Sequence, residues 1–246
     1  MSDAETNREA INENRKRIFS IDAEVMTNKA LIYSSRAIIE ENRSMILSNY
    51  SAAFMGNRQL ANHNTDEIFK NRQAILDNVN VRTITESNFI NAQKNRASLD
   101  FLEHRSKLNS EVLDISKEIA EINSKLIKIN ERIMASNQNI VDFNSEQIDI
   151  NTELLNNTPN PEKATPESNA QLIKKNKAKM NELEMEVSKN QEKMEELVKK
   201  SEANTKSLMK NKENIHKRRE SIMTNREKLL KNRAKILIKS NLRPYF

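Results

Sequence analysis

The sequence predicts an all-α protein of long coiled-coil helices, folded as an elongated up-down-up three-helix bundle. Three observations predict it. First, of 246 residues only 36% are hydrophobic and 4% aromatic, with no Trp and one Gly. That leaves too few bulky side chains for a thick core and too little Gly and Pro for a sheet protein. Second, 24 of the 35 asparagines stand on one grid of seven-residue spacing, and four residues after most grid positions comes an apolar residue. Spacings alternating four and three define a helical seam, with apolar residues at position a and Asn at position d. Third, breaks in the grid divide the chain into segments with eleven, ten and eleven grid positions. Near-equal segments suit a bundle in which no helix outruns its neighbours, and each would be roughly 110 Å long at ~1.5 Å per residue.

The first segment, residues 1–82, carries Ile11, Ile18, Val25, Ile32, Ile39 and Ile46 at position a. Its grid slips by eight residues between Asn49 and Asn57, beside Gly56. Glycine tolerates backbone geometry that other residues resist, so the helix is expected to absorb the extra residue and continue. A slip of ten follows between Asn78 and Asn88, across Val79-Asn80-Val81-Arg82-Thr83-Ile84-Thr85-Glu86-Ser87. This β-branched run has poor helix propensity and places a turn at 83–87, with Thr85 and Ser87 as candidate caps. The rival arrangement is one helix from about residue 5 to 156, with the last segment folded back along its second half.

The second helix, 88–156, is apolar beside its seam as well, at Ile119, Leu126, Ile133 and Ile140 and at Ile122, Ile129 and Phe143. It therefore has surface for more than one neighbour. Residues 157–168 form a loop holding three of the four prolines, where Thr165 followed by Pro166 makes a good helix start. The third helix, 169–241, is basic and offers a narrower seam, and residues 242–246 are a tail.

The d-position amides fall where a helix should bury them. They are Asn28, Asn42, Asn49, Asn64 and Asn71 in the first helix, and Asn123, Asn130, Asn137, Asn144 and Asn151 in the second. Asn176, Asn190, Asn204, Asn211, Asn225 and Asn232 continue the series in the third. Unpaired burial costs ~1 to 3 kcal/mol per amide, so they must bond to one another or to backbone, or converge on a water or small anion. The pattern resembles the Asn-at-d coiled coils of trimeric adhesin stalks and phage fibres. That resemblance implies polar layers that set helix number, and rings of Asn holding anions on the axis.

Charge is uneven. Residues 168–246 hold 21 Lys and Arg against 10 Asp and Glu, while residues 1–167 hold 20 against 25. Lys217, Arg218, Arg219, Arg226, Lys228, Lys231, Arg233 and Lys235 form a candidate patch for an anionic partner, nucleic acid or membrane surface. Tyr245 and Phe246 are a candidate docking peptide. A single Gly allows no phosphate loop and the absence of Cys allows no thiolate, while His63, His104 and His216 lack ligand spacing. No cofactor, metal or enzymatic activity is expected. The acidic start and the lack of a long apolar run point to a cytoplasmic protein. The expectation is a non-enzymatic structural coiled coil, a rod-like spacer or a subunit of an oligomeric or filamentous assembly. The alternative is a membrane-surface or nucleic-acid binder using the basic last helix.

Overall fold

The computed structural model describes residues 3–157 and 161–241. The protein is an all-α bundle of long helices. Helix α1 spans Asp3–Tyr50, a π-helical turn spans Ser51–Asn57, and α2 continues over Arg58–Asp77. Helix α3 runs Ile84–Asn156 and α4 runs Pro166–Asn241, preceded by a 3-10 turn at Pro161–Lys163. No Gly or Pro occurs before Gly56, so nothing in α1 removes a backbone donor or loosens the helix.

The extra residue of the eight-residue slip is taken up where expected. The N–H of Arg58 reaches back to Ala53 O, an i to i−5 bond that widens one turn without breaking the helix. Tyr50 and Phe54 stack outside this turn at 5.3 Å, and the Arg58 guanidinium lies 4.6 Å from the Phe54 ring centre. These three side chains are four residues apart and brace the widened turn along one face.

The first break is a turn at 78–83, not 83–87. Thr83, in extended conformation, caps α3: its Oγ1 accepts the N–H of Glu86, and the Glu86 carboxylate accepts the N–H of Thr83. Thr85 and Ser87 thus lie inside α3, because a reciprocal capping box needs an acid three residues on, and Thr83 has it. The break also rules out a helix continuous from residue 5 to 156. At the second break Pro166 opens α4, three residues earlier than position 169. Thr165 Oγ1 accepts the Ser168 N–H at 3.1 Å, and Ser168 Oγ accepts the Thr165 N–H at 3.0 Å.

The chain forms two compact units. In the first, residues up to Asn64 pack with Pro161–Lys228, and α1 runs parallel to α4. Its apolar core is thin, a cluster of Ile21, Met180 and Val187. Each such side chain stabilises by about 1.5 to 3 kcal/mol, so polar contacts must carry much of the pairing.

The second unit, Thr65–Asn160 with the residues from Leu229 onward, contains three packed helical stretches. α2 and α3 run antiparallel: Asp66 meets Arg105, Phe69 meets Phe101 at 4.8 Å, Arg72 meets Asp100 and Asp77 meets Lys94. The end of α4 lies parallel to α2, with Arg233 on Glu67. This is the up-down-up order, with Ile90 and Ala97 of α3 buried inside it. Beyond Ile119, every described residue of α3 except Gln147 is exposed.

Candidate functional site

The most regular feature of the molecule is a ladder of side-chain amides on backbone carbonyls. Asn14, Asn28, Asn42, Asn49, Asn57 and Asn64 donate Nδ2–H to the carbonyls of Ile173, Val187, Ser201, Leu208, Ile215 and Ile222. Asn7 does the same to Pro166 and, in the second unit, Asn71 to Leu229, with N···O distances from 2.9 to 3.4 Å along the series. A helical carbonyl already accepts one backbone N–H but has a second lone pair, which the amide takes. The separation between donor and acceptor is 159 residues up to Asn49 and 158 from Asn57 onward. The π-turn is what keeps the rungs in phase: the one extra residue between Asn49 and Asn57 is consumed there.

From Asn14 to Leu229 every carbonyl used belongs to a position-a residue of α4, while every donor sits at d of α1, α2 or the π-turn between them. The two helices therefore do not meet through equal seams. On α1 the buried line is Asn14, Ile21, Asn28, Ser35 and Asn42, all at d, whereas the position-a residues Ile11, Ile18, Val25, Ile32, Ile39 and Ile46 are exposed. Amide layers were expected on all three helices, and only the first helix supplies them. Asn28, Asn42, Asn49, Asn64 and Asn71 lie in the contact, but Asn123, Asn130, Asn137, Asn144 and Asn151 of α3 are exposed. Asn176, Asn190, Asn204, Asn211, Asn225 and Asn232 are exposed too, because α4 turns its a face, not its d face, toward α1. The paired amides do not converge on one another, so the geometry is a side-chain-to-backbone ladder and not a ring of amides around an axial ion.

Two rungs differ in ways that periodicity did not reveal. The hydroxyl of Thr205 donates to Asn42 Oδ1 at 2.8 Å, in the layer where Ser201 replaces a large apolar residue. At Ser35 the amide is missing, and its buried Oγ, like Asn57 Oδ1, has no hydrogen-bond partner among the described residues. Arg17 adds a charged clasp: its guanidinium donates to both oxygens of Glu184 and to Asn181 Oδ1. This hydrogen bonding holds the Glu184 carboxyl below its usual value and pushes Arg17 above its own.

Comparison with protein-family profiles, with curated proteins and with solved structures finds no match.

The basic residues of α4 are not uniformly available. Lys217 is bonded to Glu213 at 2.6 Å and Arg233 to Glu67 at 3.3 Å, and Arg226 is half-buried. Arg219 lies beside Gly56, with Nη1 3.6 Å from where a Cβ would stand. Arg218, Lys228 and Lys231 are exposed. Lys235 lines a cavity of about 480 Å³ in the second unit with Asn232, Ile236, Lys239 and Asn78. Tyr245 and Phe246 lie outside the described residues. Among the described residues no three His, Asp or Glu are grouped to hold a metal, and His63, His104 and His216 are separately exposed. No described helix is long and apolar enough to cross a membrane.

Proposed function

We propose that this protein is a non-enzymatic structural coiled coil, a spacer or subunit of an oligomeric or filamentous assembly. The observation carrying this reading is the amide–carbonyl ladder, which repeats one contact from Asn7 to Asn71 and devotes a whole face of the chain to holding two helices in register. A repeated contact without a pocket of convergent catalytic groups serves length and alignment. The exposed apolar lines on α1 and α3 support further helix-to-helix association. The likeness of the Asn grid to stalk and fibre coiled coils agrees with this, with the amides spent on backbone. Small-angle scattering tests it. Helices of this length give a maximum dimension of about 110 Å or more, and a compact globular profile would end the reading.

A second reading, binding to anionic membrane or nucleic acid, is favoured by Arg218, Lys228 and Lys231 on the exposed side of α4. Co-sedimentation with anionic vesicles and with duplex DNA at rising salt tests it, since counterion release makes such binding fall steeply with salt. No sedimentation at low salt removes it.

A further inference from the structure

Helix α3 carries two apolar lines, and only one continues the face it uses in its own unit. The residues it buries or half-buries, Ile90, Ala97, Phe101, Leu108, Val112 and Ile119, extend in phase to Ile122, Leu126, Ile129 and Ile133. The heptad seam proper, Ile127, Met134, Val141 and Ile148 with the d-position asparagines between them, lies roughly 110° further round the helix at 100° per residue. Those four side chains are 59%, 63%, 54% and 62% exposed, against 54%, 43%, 48% and 52% for Ile122, Leu126, Ile129 and Ile133 on the first line. On α1 a d-position line of this composition is covered by another helix, whose carbonyls take the amides.

We infer that this second seam, from Leu113 to Leu155, is where a second copy of the chain docks, with the two α3 helices antiparallel. The inference rests on the structural reading above and names its partner. Three features select the occupant. The seam continues the helix that is already the middle member of a three-helix packing. A partner must repeat every seven residues and present a apolar line beside amide donors, and α3 itself does both. Over about 65 Å of helix roughly 10 Å across, the seam offers on the order of 700 Å² per copy, close to the ~800 Å² per partner of a standard stable interface.

Charge sets the direction. Between Ile133 and Asn156 the helix has four acids, Asp142, Glu146, Asp149 and Glu153, and no Lys or Arg, whereas the half before it is neutral, with Lys117, Lys125, Lys128 and Arg132 balancing Asp114, Glu118, Glu121 and Glu131. Antiparallel copies lay the acidic half of each over the lysine-bearing half of the other, and parallel copies would stack acid on acid. The pseudo-centre of this arrangement, midway between Leu113 and Leu155, is Met134, within one helical turn of Asn137.

The absence of Cys makes the test direct. Full-length Asn123→Cys, Asn137→Cys and Asn151→Cys are each treated with a short bis-maleimide, and sedimentation equilibrium is run on the unmodified chain. The expected results are a species of twice 28.5 kDa, self-linking of Asn137→Cys alone, and linking of Asn123→Cys to Asn151→Cys only when the two are mixed. Ile127→Lys with Val141→Lys should weaken self-association at least tenfold with unchanged helicity, since both residues are exposed in the single chain. A monomer at all concentrations overturns the inference, as does self-linking at all three positions. A monomer whose scattering still reports helices of full length leaves the structural reading standing, so the two can fail separately.

Discussion

At the scale of single residues, the ladder makes an unequal demand on donor and acceptor. Removing an Asn from the contact loses one hydrogen bond, yet the α4 carbonyl keeps its helical partner, so no buried acceptor is orphaned. Asn28→Ala should therefore cost about 1 kcal/mol, a moderate figure because Ala also gains helix propensity. Asn211→Ala, on the exposed d face of α4, should stay within ~0.5 kcal/mol of the parent or stabilise slightly. Urea denaturation followed by circular dichroism separates the two. The Arg17 clasp adds a pH dependence. The hydrogen bond from Arg17 lowers the folded-state value of Glu184, so its stabilisation is present above the usual carboxylate range and is lost as pH falls through the lowered value. Glu184→Gln should reduce the melting temperature at neutral pH, and the difference from the parent should shrink as pH falls through the lowered carboxylate value. A difference that persisted below that value would mean that Arg17 acts by packing and not by charge.

At the scale of elements, the π-turn and the caps decide where helices bend, stop and start. A Cβ at Gly56 would meet only the end of Arg219 at 3.6 Å, an ordinary contact, so Gly56→Ala should stabilise by up to about 1 kcal/mol. Deleting Gly56 should be tolerated as well, because it restores seven-residue spacing between Asn49 and the next amide. Deleting Ala23 should destabilise strongly by moving every rung after it off the contact, and thermal melts of the two deletions check this. Thr83→Ala should cost about 1 kcal/mol through loss of the capping box. Much of this level was legible in the sequence. The grid gave the helices, Thr165 with Pro166 gave the second restart, and the eight-residue slip gave the continuing helix at Gly56. The turn lies at 78–83 and not at 83–87 because Thr83, Thr85 and Ser87 can each cap a helix, and Glu86, three residues after Thr83, selects the first of them. Which face each helix buries was beyond reading, because periodicity gives the same line of asparagines to α1, α3 and α4, while only tertiary pairing selects d on one helix and a on another.

At the scale of the whole molecule, two compact units share a chain whose buried apolar residues are few. A thin core with long exposed apolar lines makes stability depend on what else is bound. Association linked to folding should raise the melting temperature with protein concentration. A hundredfold dilution that left the midpoint unchanged would show that the chain stands alone. The ladder has one more consequence, which concerns inheritance. Its acceptors are main-chain atoms, so α4 can change the side chain at a rung and still receive the amide wherever the substitute packs as Val187, Ser201 and Leu229 do, whereas α1 and α2 lose the contact with a single codon change. The information that sets the amide register is thus written in the side chains of α1 and α2, while α4 answers with its backbone and keeps its buried side chains for packing.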